Sequence, residues 1–423
     1  MEKLQAILGI ITFCGIAWAL SENRAVLSPV AIGKLVATGV STQLLLAIIL
    51  LKVPFITALV MGLNDAVIAL ESATVAGTSF VFGYLGGAKP PFVETHAGAS
   101  FILGFRALPI VLLISALSAL LFYWNILPWV VKIFAKTLQR VFGIGGALGI
   151  SAAANIFVGM VEAPLLIRPY LKNMSRSELF AMMSVGMATI AGTVMALYAT
   201  ILRPVMPDAL GHILIASMIS APAALMMAHL MVPSDGAVTD GDMLADANDL
   251  ENQPHSAMEA VTNGTIQGAK LLINIAAMLI VMIALVHLVN LALALLPQVS
   301  GAAISLERLF GWIFSPLAWL MGIPWAEATV GGELLGYKTI LNELIAYSKM
   351  AALPADALSS NSRVIMIYAL CGFANFGSLG IMIGGLITIA PERRTDIVGL
   401  GPRTIISGLL ATCMTGSIVG MIA

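Results

Sequence analysis

Apolar stretches long enough to cross a lipid bilayer recur along this chain and limit what it can fold into. A transmembrane helix needs about 20 consecutive, mostly apolar residues. The stretches that meet this requirement are 4–20, 40–63, 101–123, 178–203, 209–232, 268–296, 362–390 and 403–423. We therefore expect an all-α integral membrane protein with about eight transmembrane helices.

The charge content agrees with this expectation and excludes several other classes of protein. Only 10% of the residues are charged, whereas an ordinary soluble domain has about 25%. A soluble enzyme or a secreted domain would lack the polar surface that it needs. The formal net charge of −1 also argues against a nucleic-acid-binding protein, because such proteins present a basic surface.

Three further segments fit a membrane span less well. Residues 25–39 and 65–86 carry scattered polar groups, which predicts interfacial or re-entrant pieces. Residues 125–142 place Lys132 and Lys136 at helical spacing among apolar residues. That pattern is typical of an amphipathic helix lying along the membrane surface.

The segment 233–256 is the one clearly polar stretch, and it separates two halves of similar plan. It has six acidic residues and no basic one, which predicts a solvated, flexible loop. Before it, a Gly/Ala-rich apolar segment at 143–167 precedes a glycine-containing helix at 178–203. After it, a Gly/Pro-interrupted segment at 312–347 precedes a second such helix at 362–390. Matching interrupted segments in two halves point to the binding site of a transporter.

Two acidic residues lie where a membrane makes charge costly. Glu162 and Glu343 stand at equivalent places, each just before a glycine-containing helix. An ionised side chain in mid-bilayer costs about 2.5–3.5 kcal/mol on insertion scales, so such residues face a cavity or a partner. The functional interpretation places both in a binding site. The alternative is that they cap helix ends or pair with Arg168 and Lys338.

The glycines of these helices predict local breaks, which free backbone carbonyls for an ion or a polar solute. In the first half, Thr189 and Asn155 could add side-chain oxygens suited to a hard monovalent cation, although Thr189 could instead bond back to its own helix. In the second half, Asn375 and Ser378 lie three residues apart. With Glu343 they could bind vicinal hydroxyl groups.

Three motifs stand in order along the chain, at 158–171 (VGMVEAPLLIRPYL), 336–347 (GYKTILNELIAY) and 371–381 (CGFANFGSLGI). The first is similar to Val-Gly-Gln-Thr-Glu-Ser-Pro-Leu-Leu-Val-Arg-Pro-Tyr-Leu. The second is similar to Gly-x-Lys-x-x-x-Asn-Glu-Phe-Val-Ala-Tyr, with Leu344 and Ile345 in place of Phe-Val. The third is similar to Cys-Gly-Phe-Ala-Asn-Phe-Ser-Ser-Ile-Gly. These motifs resemble the signatures of the concentrative nucleoside transporter family over the whole chain.

The resemblance implies a fold and a mechanism. The fold would have eight transmembrane helices, two re-entrant helical hairpins and interfacial helices, with an inverted-repeat transport domain on a homotrimeric scaffold. The mechanism would be elevator-type symport of a nucleoside with a cation in the bacterial inner (cytoplasmic) membrane. The resemblance implies five divisions. They are the N-terminal, partly scaffold helices (1–123), the first hairpin and broken helix (124–232), the acidic loop (233–256), a scaffold helix (257–305), and the second hairpin and broken helix (306–423).

The resemblance also implies site residues. The sugar would meet the second hairpin tip and its broken helix, at Asn342, Glu343, Phe373, Asn375 and Ser378. The base would meet the first hairpin tip and its following helix, at Gly159, Met160, Val161, Glu162 and Val194. A sodium ion would be held by the Asn155 and Thr189 side chains and the Val158 and Ile190 carbonyls. Thr189 stands where the family usually has Ser, which keeps the oxygen. No cofactor other than the coupling ion is expected.

One departure from the family concerns the base. The hydrogen-bonding Gln-Thr pair of the family is Met160-Val161 here. Apolar side chains cannot read a pyrimidine edge, and a site without donors loses discrimination. We expect relaxed or shifted base selectivity, for example toward purine nucleosides.

Other functions remain open from the sequence alone. One alternative is proton-coupled uptake of a purine or modified nucleoside by the same fold, with Glu162 as the group that titrates. A membrane-embedded enzyme is a further alternative, although the chain has no His-Glu-x-x-His, paired-Asp or Gly-x-Ser-x-Gly motif. A channel is the remaining alternative, and it would show no gradient-driven accumulation of a solute.

Overall fold

The computed structural model describes residues 2–94, 100–234, 239, 254–299, 301 and 303–422, apart from the side chains of 56–61, 63 and 64. Most of the acidic segment 233–256 lies outside the described residues. The described chain is helical. Its α-helices are α1 Glu2–Ala19, α2 Pro29–Lys52, α3 Pro54–Phe82, α4 Leu103–Arg106, α5 Ile110–Tyr123, α6 Ile126–Phe142, α7 Gly146–Ala154, α8 Glu162–Leu165, α9 Arg168–Leu171, α10 Arg176–Ala188, α11 Gly192–Leu202, α12 Ala209–Met231, α13 Ala257–Leu293, α14 Leu306–Leu320, α15 Trp325–Ile340, α16 Glu343–Ala351, α17 Ser360–Leu370, α18 Phe376–Ile389 and α19 Arg394–Ile422.

The expected number of membrane spans agrees with the structure, but several of their positions differ. Among the described residues, eight helical segments are long and apolar enough to cross a membrane. They include 65–86, which was predicted to be interfacial or re-entrant. They do not include 362–390, which forms the two shorter helices α17 and α18.

The interpretation of 25–39 and of the boundaries of 40–63 was also wrong, and two prolines give the reason. Ser28 caps α2, its hydroxyl accepting from the Ala31 N–H at 3.2 Å, with Pro29 as the first helical residue. Val53 is extended, and Pro54 begins α3. Proline lacks an N–H and restricts the residue before it, so it starts a helix more readily than it continues one.

The amphipathic helix predicted at 125–142 is confirmed as α6. Val131, Ala135 and Leu138 are buried along one face, while Lys132 and Lys136 are exposed. Its position along a membrane surface stays a prediction.

Both predicted broken helices are broken. The first break, 189–191, separates α10 from α11, and the second break, 371–375, separates α17 from α18. Each is preceded by shorter helices, which we name the first hairpin (α7 to α9) and the second hairpin (α15 with α16) after the expectation from the sequence. The repeated plan inferred from the sequence is therefore present in the folded chain.

The buried centre of the molecule brings the two breaks together. Helices α12 and α19 are buried over most of their length and pack on each other, on α10 and on α17. A Cβ on Gly372, in the second break, would lie 3.0 Å from the carbonyl oxygens of Met187 and Ala188 at the first break. Glycine thus permits a close backbone approach of the two halves.

Helices α5 and α13 pair outside this centre. Gly264 and Gly268 of α13 allow the pairing, since a Cβ on Gly264 would lie 2.6 Å from the Ser115 carbonyl oxygen. The rest of α13 is mostly exposed and strongly apolar. A helix of that kind suits lipid or a protein partner within a membrane.

Candidate functional site

One cavity lies between the two hairpin turns and the two breaks. The predicted sugar contacts Asn342, Glu343, Phe373, Asn375 and Ser378 all line it, as do the predicted base contacts Gly159, Met160, Val161, Glu162 and Val194. The structure thus brings together residues that are more than 200 positions apart in the chain. Their roles in binding stay predictions.

Glu343 is held at the start of α16 by the local backbone. Asn342 is the N-cap of this helix, and its Oδ1 accepts from the Ile345 N–H at 2.9 Å. This cap sets the direction in which the next residue enters the cavity. The Glu343 side chain is only 4% exposed, so its carboxylate needs donors from the protein or from a solute.

Two side chains donate to the Glu343 carboxylate. The Tyr198 hydroxyl donates to Oε1 at 2.6 Å, and the Asn375 amide donates to Oε2 at 3.0 Å. Asn375 is itself fixed as the N-cap of α18, because its Oδ1 accepts from the Ser378 N–H at 2.7 Å. One asparagine therefore serves both the helix and the carboxylate, and it places Ser378 beside them.

Lys338 does not pair with Glu343 among the described ion pairs, contrary to the structural alternative considered from the sequence. Its fully buried ammonium donates to the Ala369 carbonyl and to the Thr412 hydroxyl, both at 2.7 Å. The Tyr347 hydroxyl donates to the Ile367 carbonyl at 2.9 Å. Both carbonyls lie in the last turn of α17, where a helix end leaves acceptors without partners. The second hairpin thus caps the broken helix.

The opposite side of the cavity is mostly apolar. Met160 is 7% exposed and packs against Gly186 of α10, where a Cβ would lie 3.0 Å from the Met160 Cβ. Val161 packs against Gly385 of α18, where a Cβ would lie 2.7 Å from its Cγ1. The first hairpin turn therefore fills the space between two broken helices with side chains that cannot hydrogen-bond.

Glu162 is the exception on that side. It is exposed and is the first residue of α8, and Arg168 forms no ion pair with it among the described contacts. A Cβ on Gly159 would collide with the Glu162 carboxylate. Glycine at 159 is therefore required for this carboxylate to lie over the turn.

The predicted cation ligands lie between the first hairpin and the first break. Asn155 is the C-cap of α7 and is buried. Its Nδ2 donates to the Ser151 carbonyl at 3.0 Å, and its Oδ1 has no hydrogen-bond partner among the described residues. The Thr189 hydroxyl donates to the Val185 carbonyl at 2.8 Å, so the back-bond considered from the sequence is present. Lone pairs of Thr189 remain available.

This donor set fits a hard monovalent cation. A buried amide oxygen without a partner is costly, and an ion would satisfy it. Val158 and Ile190 are buried beside these residues, and the Phe157 carbonyl accepts from the Gly192 N–H at 3.0 Å, joining the hairpin turn to α11. The described residues contain no group of three His, Cys, Asp or Glu that could hold a metal, so an acidic multi-ligand centre does not occur there.

Several lining residues were not identified from the sequence. Thr193 and Tyr198 come from α11, and Asn274 and Met278 come from α13. Tyr198 follows Val194 by four residues, so helical spacing could have placed both on one face. No such signal exists for α13, because its contact with the cavity depends on tertiary packing.

Comparisons with known proteins cover the whole chain. The family model described as Na+ dependent nucleoside transporter C-terminus matches residues 212–420. The corresponding N-terminus model matches 8–85, and one described as Nucleoside recognition matches 104–205.

Similar full-length proteins and solved structures agree with these models. An "Uncharacterized transporter" of Haemophilus influenzae is 38% identical over 100% of this chain and 98% of its own. The nucleoside permease NupC of Helicobacter pylori is 33% identical over 99% of this chain and 98% of its own. The structure of CNTnw in an inward-facing substrate-bound state is similar with a TM-score of 0.88 and 33% identity, covering 100% of this chain and 98% of that one.

Proposed function

This chain belongs to the Na+-dependent, concentrative nucleoside transporter family, and from that premise we propose that it imports nucleosides by symport with sodium. It is a multi-pass membrane transporter of nucleosides and not an enzyme. The coupling ion, the ligand contacts, the mechanism of movement and the assembly belong to the proposal.

The observation that carries the proposal is the buried carboxylate of Glu343 beside a cavity. A carboxylate has about four lone-pair sites, and the protein donors Tyr198 and Asn375 occupy one on each oxygen. The remaining sites can accept from two sugar hydroxyls, which are charge-assisted hydrogen bonds. Asn342, Ser378 and Phe373 complete the proposed sugar end.

The base lies at the apolar end in this proposal. Met160, Val161 and Val194 offer packing and no hydrogen bonds, while Gly159 leaves room for Glu162. A flat heterocycle can pack there, but Met160 and Val161 at the hairpin tip form no hydrogen bonds with its edge. We propose that base selectivity is relaxed or shifted toward purine nucleosides.

The cation couples to the solute through the first hairpin. Sodium bound by Asn155, Thr189 and the Val158 and Ile190 carbonyls would hold the hairpin turn against the first break. That turn also forms one wall of the cavity, so ion and solute would each favour the other's binding, as linkage requires.

The assembly and the movement are proposed from the helix packing. Helices α5 and α13 form a pair whose α13 face is apolar and exposed, which supports a scaffold in a homotrimer. The hairpins and broken helices contact the buried centre and would move together with it as an elevator. Bacterial relatives support placement in the cytoplasmic membrane.

Uptake into proteoliposomes tests the function directly. A panel of uridine, cytidine, adenosine, guanosine and inosine is offered under a sodium gradient alone and under a proton gradient alone. We expect accumulation with sodium and little preference for uridine over the purine nucleosides. Uptake driven only by protons would overturn sodium coupling, strong uridine selectivity would overturn the base proposal, and flux without accumulation would indicate a channel.

A further inference from the structure

Tyr198 joins the two halves of the molecule at the proposed sugar end. It lies on α11, in the first half, and its hydroxyl donates at 2.6 Å to Glu343 of the second hairpin. Its side chain is 3% exposed and lines the cavity. The hydrogen bond therefore crosses between repeats at the carboxylate itself.

The Tyr198 ring is held in a fixed position. Its centroid lies 5.4 Å from that of Tyr347, with the ring planes tilted by 45°, a favourable aromatic contact. The Tyr347 ring is itself completely buried, so it forms a fixed wall beside Tyr198. The Tyr198 hydroxyl is thus aimed at the carboxylate by packing, and it is not free to follow the solute.

The Glu343 carboxylate would be poorly oriented without this donor. Asn375 holds Oε2, and Tyr198 supplies the side-chain hydrogen bond that holds Oε1. The two donors together fix the carboxylate plane. The lone pairs that remain then point in set directions, which reduces the ordering cost of binding a solute.

We propose that Tyr198 is a positioning residue for the sugar, one that orients Glu343 so that its free lone pairs meet the ribose hydroxyls. This inference rests on the proposed function and adds a specificity role to it. Tyr198 acts on the sugar through Glu343. Its removal should therefore weaken recognition of hydroxyls and leave recognition of the base unchanged.

The test is Tyr198→Phe, which removes one hydroxyl and keeps the ring. The matched control is Tyr347→Phe, because Tyr347 is equally buried, touches the same ring and does not bond Glu343. KM and maximal rate are measured in proteoliposomes under a sodium gradient for uridine and adenosine and for their 2′,3′-dideoxy counterparts. The amount of each variant in the vesicles is measured in parallel.

For Tyr198→Phe we expect KM for the ribonucleosides to rise about tenfold, because a carboxylate that is not held in orientation must be ordered when it binds the hydroxyls. KM for the dideoxynucleosides should change less than about twofold. The preference for ribonucleosides over dideoxynucleosides should therefore fall. Tyr347→Phe should change KM for the ribonucleosides and KM for the dideoxynucleosides by the same factor. Equal losses for both solutes in Tyr198→Phe, or no change in either, would overturn the inference alone. A wild-type protein that accumulates none of these solutes would overturn the proposed function, and the inference with it.

Discussion

At the scale of single residues, the proposed chemistry depends on a few polar atoms in an apolar environment. Glu343 has two protein donors and a cavity beside it. Asn155 has an amide oxygen with no hydrogen-bond partner in the part of the chain that the structure describes. A buried oxygen that can accept a hydrogen bond but has no donor is costly unless a ligand uses it. Substitutions at these two residues should therefore separate solute binding from ion binding.

Replacing Glu343 by Gln should abolish uptake. The amide presents an N–H₂ group where the carboxylate presented acceptors, so it can no longer accept from two hydroxyls, and it confronts the Tyr198 hydroxyl or the Asn375 amide. Loss of two charge-assisted bonds predicts a fall of at least about 100-fold in uptake. Size-exclusion chromatography should show unchanged assembly. Normal uptake by the assembled variant would remove Glu343 from the sugar site.

Replacing Asn155 by Ala should act on the ion and not on the solute. The variant loses the orphan oxygen together with the bond to the Ser151 carbonyl. We expect the sodium concentration for half-maximal uptake to rise about tenfold, while nucleoside KM at saturating sodium changes little. The measurement is the rate of nucleoside uptake as a function of sodium concentration. An unchanged sodium requirement would exclude Asn155 as a ligand.

At the scale of secondary-structure elements, the two breaks are held by contacts between the repeats. Lys338 and Tyr347 from the second hairpin cap the last carbonyls of α17. Gly372 lets the second break approach the carbonyl end of α10. A broken helix in a membrane requires that its freed backbone groups find such partners, so the sequence must supply both the glycine and the capping side chains.

The close approach at Gly372 predicts a position-dependent effect of alanine. A Cβ there would meet the Met187 and Ala188 carbonyls at 3.0 Å and the Thr412 Cγ2 at 2.8 Å. Backbone atoms cannot move aside cheaply, so Gly372→Ala should destabilise the protein by about 1–3 kcal/mol. Thermal unfolding in detergent measures this. Gly380→Ala on α18 is the control, since a Cβ there meets no described atom within 4 Å. Equal melting temperatures of the two variants would contradict the packing argument.

At the scale of the whole molecule, ion pairs at one end tie separate helices together. Glu22, between α1 and α2, accepts from Arg176 of α10 at 2.8 Å and from Arg403 of α19 at 2.6 Å. The hydrogen bond from Arg176, with the nearby charges of both arginines, holds the pKa of Glu22 below its usual value despite partial burial. The cluster links the connection between α1 and α2 to the start of α10 and to α19.

This cluster predicts an acid-sensitive contribution to stability. A carboxyl group whose pKa is lower in the folded state contributes above its unfolded pKa, about 4.3, and the contribution is lost as pH falls through the folded pKa. The melting temperature of Glu22→Gln should therefore lie below that of the wild type at pH 7, and the difference should shrink in acid. Melting curves from pH 7 to pH 3.5 measure it. A difference that is constant with pH would show that the charge of Glu22 is not involved.

The sequence, through its hydropathy and its three motifs, determined the class of protein, the number of spans and ten of the 22 residues that line the cavity. Length and hydropathy predict helices because a bilayer offers the backbone no other partners, and Glu162 and Glu343 stand out because charge is costly there. Ambiguity remained where polar residues were scattered, so 25–39 and 65–86 were not recognised as helical spans. The prolines at 29 and 54 explain the true boundaries.

Tertiary structure decided which groups meet. The Tyr198–Glu343 bond, the capping of α17 by Lys338 and the contribution of Asn274 from α13 all join segments far apart in the chain. The spacing of residues in the sequence can place a side chain on one face of a helix. It does not determine which other helix packs against that face. That choice depends on the packing of whole helices, where close contacts at Gly264 and Gly372 decide which surfaces can approach.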